Sequence, residues 1–300
     1  MPLDRSTTLA RMQEVMGPLP AKPLTPPRFR TLLEERFPAY LRIKLLYEPE
    51  PGDEVPAWLL IPSGDHPCRP VLCLHQTQKF GKDEPAGIGV RFTLHYAKEL
   101  ANRGYIALAP DYPNFGEYFL DVYARGYASA TMKAIVNHRR AIDLLLNHPR
   151  VHTRSAGAIG HSLGGHNALF LSAFDDRLQA TVTSCGFTSF ARYYGGNLTG
   201  WSHNGYMPRI ASVYGKDPAR MPFDFPDVLA AIAPRALFVN APLHDSNFDV
   251  TGVRGCIAEV RPLFPEPGSL EVHYPDSGHD FPDRERQAAY AFLDRHLSAA

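Results

Sequence analysis

The pentapeptide Gly160-His161-Ser162-Leu163-Gly164 is the segment of this sequence best suited to chemistry. It is a G-x-S-x-G pattern, extended by Gly165, between the small-residue run SAGAIG and the apolar run GGHNALFLSAF. The first run reads as a strand and the second as a helix, which sets Ser162 on a sharp strand-to-helix turn. A serine on such a turn lifts its hydroxyl above the sheet, and glycines on either side keep neighbouring atoms from colliding there. The adjoining helix N-terminus offers unpaired N–H groups and the positive end of a dipole, both suited to a developing oxyanion. Ser162 is therefore the candidate nucleophile. The competing reading is a glycine-rich turn with a serine helix cap.

A serine hydroxyl needs a base, and the base needs an acid that fixes its tautomer and stabilises its charged form. For an elbow of this kind both partners follow the nucleophile in the chain, acid first. His279 is the candidate base, in the shaped loop PDSGHDFP after the last strand pattern. Asp245, in PLHDSNFD after the strand pattern PRALFVNAP, is the candidate acid; Asp249 is its competitor and would otherwise cap the next helix. His244 reads as loop surface. The loop HQTQ follows the strand pattern VLCL, so the backbone N–H groups of Thr77 and Leu163 are the candidate oxyanion donors, with Gln76 the near alternative to Thr77. His75 reads as a brace for that loop, and Lys79, Lys82 and Glu84 as solvated surface. Gln76, Phe115 and Tyr118 are expected to touch substrate from the strand ends. Tyr193, Tyr194, Trp201, His203 and Tyr206 are expected to do so from an aromatic, Gly- and Asn-rich insertion over 186–226.

The elements that must position these residues alternate in period. An arm rich in proline spans 1–27 with a short helix over 9–16, and 28–35 reads as a second short helix. Strand patterns at 41–47 and 55–61 form a hairpin across EPEPGDE, followed by a strand at 71–75. Beyond it, helical stripes at 92–103, 130–146, 164–174, 250–260 and 284–297 alternate with apolar runs at 105–109, 156–160, 180–184, 236–241 and 270–274. A short helix is expected at 209–214, and an apolar segment at 228–232 resumes the rhythm after the insertion. Strands alternating with helices of this length give a mostly parallel sheet covered on both faces. The expectation is a three-layer α/β fold with a central sheet of about eight strands and an antiparallel N-terminal edge. The division is an arm over 1–40 and a catalytic domain over 41–300, with 186–226 inserted as a partial lid.

Composition narrows the function from outside. The 300 residues carry 31 basic and 31 acidic side chains, so no net basic footprint for nucleic acid is present. No apolar run approaches the ~18 residues of a membrane helix, and the N-terminus lacks the apolar core of a secretory signal, which reads as cytoplasmic. The four cysteines show no CxxC spacing, and HExxH, a phosphate loop and a dinucleotide fingerprint are absent. No metal or cofactor is expected. The partners expected are a small-molecule ester and water, without nucleic acid or membrane and with a homodimer left open.

These motifs resemble the α/β-hydrolase superfamily, and within it the dienelactone-hydrolase-like, acetyl-xylan-esterase-like and prolyl-oligopeptidase-like branches. VLCLHQT is similar to the oxyanion strand and loop, RGYIALAPDYPNFG to the next strand, and GHSLGG to the elbow. PLHDSNFD and SGHDF are similar to the acid and base segments. Dienelactone hydrolases carry cysteine where this chain has Ser162, and the HG usual after the oxyanion strand is His75-Gln76 here. Forty residues before the first expected strand are too few for the β-propeller of the oligopeptidases. The resemblance implies a serine carboxylic-ester hydrolase acting on a small or medium ester through an acyl-enzyme. The alternatives are a serine amidase, short-peptide hydrolase or acyltransferase, and a non-catalytic binding protein of the same fold.

Overall fold

Pro26 and Pro27 end the N-terminal arm, and at Arg28 the chain enters a sheet rather than the second helix expected there. The architecture comes from a computed structural model, which describes residues 2–299. Helix α1 (Arg5–Met16) is capped by the Asp4 carboxylate, which accepts the Thr7 N–H at 3.0 Å. Strands β1 (Arg28–Arg36), β2 (Tyr40–Glu50) and β3 (Asp53–Pro62) make an antiparallel meander. After β4 (Arg69–Leu74) come α2 (Tyr96–Asn102), β5 (Tyr105–Pro110), α3 (Ala130–Leu146), β6 (Ala156–His161), α4 (Leu163–Phe174) and β7 (Leu178–Ser184). The chain then runs through α5 (Arg209–Ser212), α6 (Phe225–Ile232), β8 (Ala236–Asn240), α7 (Val250–Val260), β9 (Leu270–His273) and α8 (Asp283–His296).

The sheet has nine strands in the order β1-β2-β3-β5-β4-β6-β7-β8-β9. It is antiparallel from β1 to the β3–β5 pair and parallel from there on. The ninth strand is β1, and it moves the start of the sheet from the expected residue 41 to Arg28. Strands β5, β6 and β8 are buried along their whole length, the near-continuous apolar pattern of parallel strands covered on both faces. One face packs under α2 and α8 through Leu100, Tyr290 and Leu293, the other under α3 and α4 through Ile135 and Leu169, with α6 packed against α4. Helix α1 lies outside α4 and α6. The stretch 185–224 holds only short turns and α5, but it is packed: Phe190, Leu198, Trp201, Met207 and Phe223 are all buried. No helix among the described residues is long and apolar enough to cross a membrane.

Candidate active site

Strand register places the loops that matter side by side. Leu74 pairs with Gly160, His161 with Ser184, Ser184 with Asn240 and Asn240 with His273, so β4, β6, β7, β8 and β9 end level. The strand order reverses at β4, between β5 and β6, and a crevice at the carboxyl ends of parallel strands opens at such a switch point. The loops leaving these ends carry Thr77, Ser162, Cys185, Asp245 and His279.

Ser162 joins β6 to α4 with φ 54° and ψ −117°, a conformation costly for a residue with a Cβ. Its N–H donates to the Ser184 carbonyl at 2.8 Å, and its own carbonyl accepts the His166 N–H at 3.1 Å. The elbow closes only because its neighbours are glycines. A Cβ on Gly160 would lie 2.2 Å from the Gly164 carbonyl oxygen, and one on Gly164 would lie 1.9 Å from that of Leu74. This contact presses α4 onto the end of β4, which brings the oxyanion candidates together. Leu163 is the first residue of α4, whose N–H has no acceptor within the helix.

His279 and Asp245 meet across two loops: Nδ1 lies 2.9 Å from each carboxylate oxygen. A carboxylate only accepts, so Nδ1 carries the proton, and the neutral ring presents Nε2 as its basic atom. The Asp245 side chain is 1% exposed and that of His279 19%, so the pair sits at the edge of solvent with the acid inside. Backbone N–H groups of Asn247 and Phe248 donate to Asp245 Oδ1 at 2.8 and 3.1 Å and fix the carboxylate on its loop. Asp249 is used differently: it caps α7 by accepting the Thr251 N–H at 2.7 Å. His244 is exposed and bonds Asp276. The His279 ring faces that of His161, the residue before Ser162, at 4.9 Å between centroids.

Beneath the base runs a buried network absent from the sequence reading. His161 Nδ1 meets Ser184 Oγ at 2.9 Å, and Asn240 Nδ2 donates to Ser184 Oγ at 2.8 Å and to the Asp280 carbonyl at 3.0 Å. Burial, and then the repulsion it would meet from a protonated His279 and from Arg91, push His161 well below the usual imidazole range, so it stays neutral beside the base. The Cys185 thiol donates to the Asp280 carbonyl at 3.3 Å, and its sulfur lies within 4.8 Å of the Asp245 and His279 ligand atoms. These three are a potential metal-ligand set by spacing. Burial lifts the Cys185 thiol well above its ordinary pKa, however, and a protonated thiol is a poor metal ligand.

The loop after β4 is braced as expected of His75, whose Nδ1 bonds the Gln76 carbonyl at 2.7 Å while Nε2 accepts the Tyr112 N–H at 2.9 Å. Burial lowers the pKa of this ring and keeps it neutral. Lys82 and Glu84 are not solvated surface: they are 0% and 1% exposed. The Lys82 amine reaches Asp111 Oδ2 at 3.1 Å and Glu117 Oε2 at 2.5 Å, which ties this loop to the one after β5.

The expected pocket residues separate into groups. Tyr206 shares a 2.6 Å hydrogen bond with Thr77 Oγ1, and its ring packs against His203 at 4.1 Å. Phe115 is half-buried beside His75, and Gln76 is buried in the same loop. Tyr194 is exposed and donates to Asn247 Oδ1 at 2.5 Å, with Tyr193 packed edge-on against it. Trp201 is 2% exposed and packs among His166, Phe190 and Phe225, so it is core of the inserted segment rather than pocket wall. Tyr118 is also displaced from the site, because its hydroxyl donates to the Asp53 carboxylate at 2.9 Å in a buried cluster with Lys133 and Asn137. Phe248, absent from the sequence reading, packs its ring 6.0 Å from His279 and 5.7 Å from Tyr193. The one signal for it was its place three residues after Asp245.

A family model described as glucuronyl esterase, fungi, matches residues 109–266, just over half of the chain. The chain belongs to this family. It is a serine carboxylic-ester hydrolase of the α/β-hydrolase fold. It is 25% identical over 310 residues to a Bacillus subtilis (strain 168) protein described as "Putative hydrolase YtaP", covering 98% of this chain and all of that one. Among solved structures, a glucuronoyl esterase from Solibacter usitatus superposes with a TM-score of 0.76 at 18% identity, over 97% of this chain and 92% of that one. Acetyl xylan esterase 1 from Thermoanaerobacterium sp. superposes with a TM-score of 0.67 at 15% identity, over 99% and 95%.

Proposed function

We propose that Ser162 is the nucleophile, His279 the general base and Asp245 the acid that orients it. Ser162 Oγ attacks the ester carbonyl as His279 Nε2 takes its proton, and the Leu163 and Thr77 N–H groups hold the tetrahedral oxyanion. His279 returns the proton to the leaving alcohol. Water, activated by the same nitrogen, then releases the acid from the acyl-enzyme. The observation that carries this reading is the 2.9 Å bond from His279 Nδ1 to Asp245, on a loop next to the strained Ser162 turn. Hydrolysis of p-nitrophenyl acetate with a burst of nitrophenolate, abolished in Ser162→Ala, is the expected result. Wild-type turnover in that variant refutes it.

The substrate class we propose is a small or medium ester of a carbohydrate, an ester of a uronic acid first. The family match supports this, and the serine at position 162 supports the carbohydrate-esterase side of the resemblance over the dienelactone-hydrolase side. The segment 185–224 acts as a partial lid, supported by its ties to the oxyanion loop through Tyr206–Thr77 and to the acid loop through Tyr194–Asn247. Cleavage of the methyl ester of glucuronic acid faster than deacetylation of acetylated xylose is the expected outcome; the reverse order moves the substrate to acetyl esters. Four free cysteines support a reducing compartment and hence the cytoplasm, tested by cell fractionation. A second copy is the proposed occupant of the open edge of β1, which exposes Phe29, Leu32 and Leu33. Strand β1 pairs on one side only, with β2, so its outer backbone N–H and C=O groups are open to the same strand of a second copy. Sedimentation equilibrium reads a dimer that Leu32→Glu disrupts, and a monomer refutes the contact.

A further inference from the structure

The Glu84 carboxylate is almost wholly buried beside the oxyanion loop, and among the described residues no lysine or arginine side chain pairs with it. Its hydrogen bonds explain why it is there. Oε2 accepts from Gln76 Nε2 at 3.2 Å and also from Gln78 Nε2, so it grips the loop that carries the Thr77 N–H from both sides. Oε1 accepts the backbone N–H of Arg91 at 2.6 Å. Arg91 in turn reaches the loop of the base: its guanidinium lies 3.4 Å from the His279 carbonyl and 3.3 Å from Asp280 Oδ1. Thr93 Oγ1 donates to that same Asp280 oxygen at 2.8 Å. One carboxylate thus spans the oxyanion loop and, through a single residue, the loop of His279.

Two further observations show that the position is built for a carboxylate. A Cβ on Gly89 would fall 2.3 Å from Glu84 Oε1, so the chain wraps the group too closely for any side chain there. The second is the orientation of Gln76. A carboxylate is an acceptor only, so Gln76 must turn its NH₂ toward Glu84. Its Oε1 is buried without another partner, which leaves Glu84 as the one group fixing how that side chain lies. Two other ionisable groups face Glu84: the Tyr96 phenol, which burial keeps protonated, and His95, with Nε2 3.9 Å from Oε1 and engaged with the Gly89 carbonyl at 3.0 Å. Burial lowers the pKa of this imidazole, so it does not supply a counter-charge at neutral pH.

We propose that Glu84 is a positioning residue for ester hydrolysis, holding the Thr77 oxyanion donor and the His279 loop in register with Ser162. It touches no substrate and exchanges no proton. Its effect passes through Gln76, Gln78 and Arg91. The proposal rests on the assignment of Ser162 and His279 above, and the test separates the two.

Glu84→Ala, Glu84→Gln and Ser162→Ala are compared with wild type for p-nitrophenyl acetate hydrolysis, for inhibition by phenylboronic acid and for Tm. Phenylboronic acid forms a tetrahedral serine adduct and so reads the oxyanion donors directly. Glu84→Ala is expected to lower kcat by about 10²-fold with KM little changed, the size of loss expected when a reacting geometry slips by about an ångström. The boronate Ki should rise by the same factor. Glu84→Gln, which keeps the shape but turns one donor toward the glutamines, should fall between the two. Should Glu84→Ala fail to fold, Gln78→Ala removes one of the gripping bonds and carries the same expectation at smaller size. The proposal is overturned if kcat and the boronate Ki of the folded variants match wild type, or if Tm falls while both stay unchanged. Turnover persisting in Ser162→Ala would instead overturn the assignment beneath it.

Discussion

Asp245→Asn removes one charge and almost no volume, which makes it the sharpest probe of the His279–Asp245 pair. Both carboxylate oxygens lie 2.9 Å from Nδ1, and the acid is 1% exposed. When His279 takes the serine proton it becomes a cation against that carboxylate. With an effective dielectric of about 20, two unit charges at this separation attract by about 6 kcal/mol. Converted at 1.36 kcal/mol per decade, that is a loss of about 10⁴ in kcat, an upper figure because the asparagine oxygen still accepts one bond. The amide can also turn its NH₂ toward Nδ1, which forces the wrong tautomer and leaves Nε2 protonated, the route by which such substitutions disable a triad by about 10⁴. The Asn247 and Phe248 N–H bonds to Oδ1 survive the change, so Tm should hold within a few degrees. The assay is stopped-flow acylation with p-nitrophenyl acetate beside circular-dichroism melting. A well-folded Asp245→Asn that loses less than tenfold would refute the role assigned to this carboxylate.

Asp249→Asn should leave kcat within a small factor and Asp249→Ala should cost about 1 kcal/mol of stability by uncapping α7, read by urea unfolding. Gly164→Ala drives a Cβ into the Leu74 and His75 carbonyls and should cost about 3 kcal/mol or more, seen as loss of soluble protein or a large fall in Tm. Tyr206→Phe removes the bond to Thr77 and should cost about 1 kcal/mol of stability with a modest fall in kcat; an unchanged Tm contradicts the tether. Stability should also fall on acidification. Burial holds His138 and His166 at about 3 and His161 well below its ordinary value, whereas the unfolded chain titrates near ~6.5. As pH drops below that value the unfolded state takes up protons that the folded state refuses, at about 1.4 kcal/mol per pH unit for each histidine. Asp224, pushed up to about 6 by burial, works in the opposite sense between about 6 and 4 and offsets one of the three. Tm measured from pH 7 to 5 should therefore decline, and a flat or rising profile refutes the sum.

The parts of the site that the sequence made legible are those where local pattern and tertiary position coincide. Ser162 sits between a small-residue strand and a glycine-led helix, and Asp245 and His279 each follow the strand pattern that chain order requires. Helices α3 and α7 begin and end where their 3.6-residue stripes do. The misreadings share a cause: a partner that the local pattern does not show overrode a local preference. Residues 28–35 carry apolar side chains at helical spacing among good helix formers, but β2 offers an open edge and Phe29 pairs across from Tyr47. Charge made Lys82 and Glu84 look solvated, yet their partners are Asp111 and Glu117 for one and Gln76, Gln78 and the Arg91 N–H for the other. Tyr118 lies in a loop near the active face by sequence, while its hydroxyl is claimed by Asp53, 65 residues earlier. Cys185 stands in the run ATVTSCGF, with no motif to single it out for chemistry. It is buried, but the register of β7 with β8 sets it against the acid and base, which only the assembled sheet reveals.

The account stands on Ser162 being the one residue that becomes acylated. Treating the protein with a fluorophosphonate and mapping the adduct by intact-mass and peptide mass spectrometry tests this directly. The account predicts one adduct per chain, on the peptide containing Gly160-His161-Ser162, and none in a Ser162→Ala variant of unchanged Tm that no longer turns over ester. An adduct on another residue, or ester hydrolysis surviving in that variant, would contradict it.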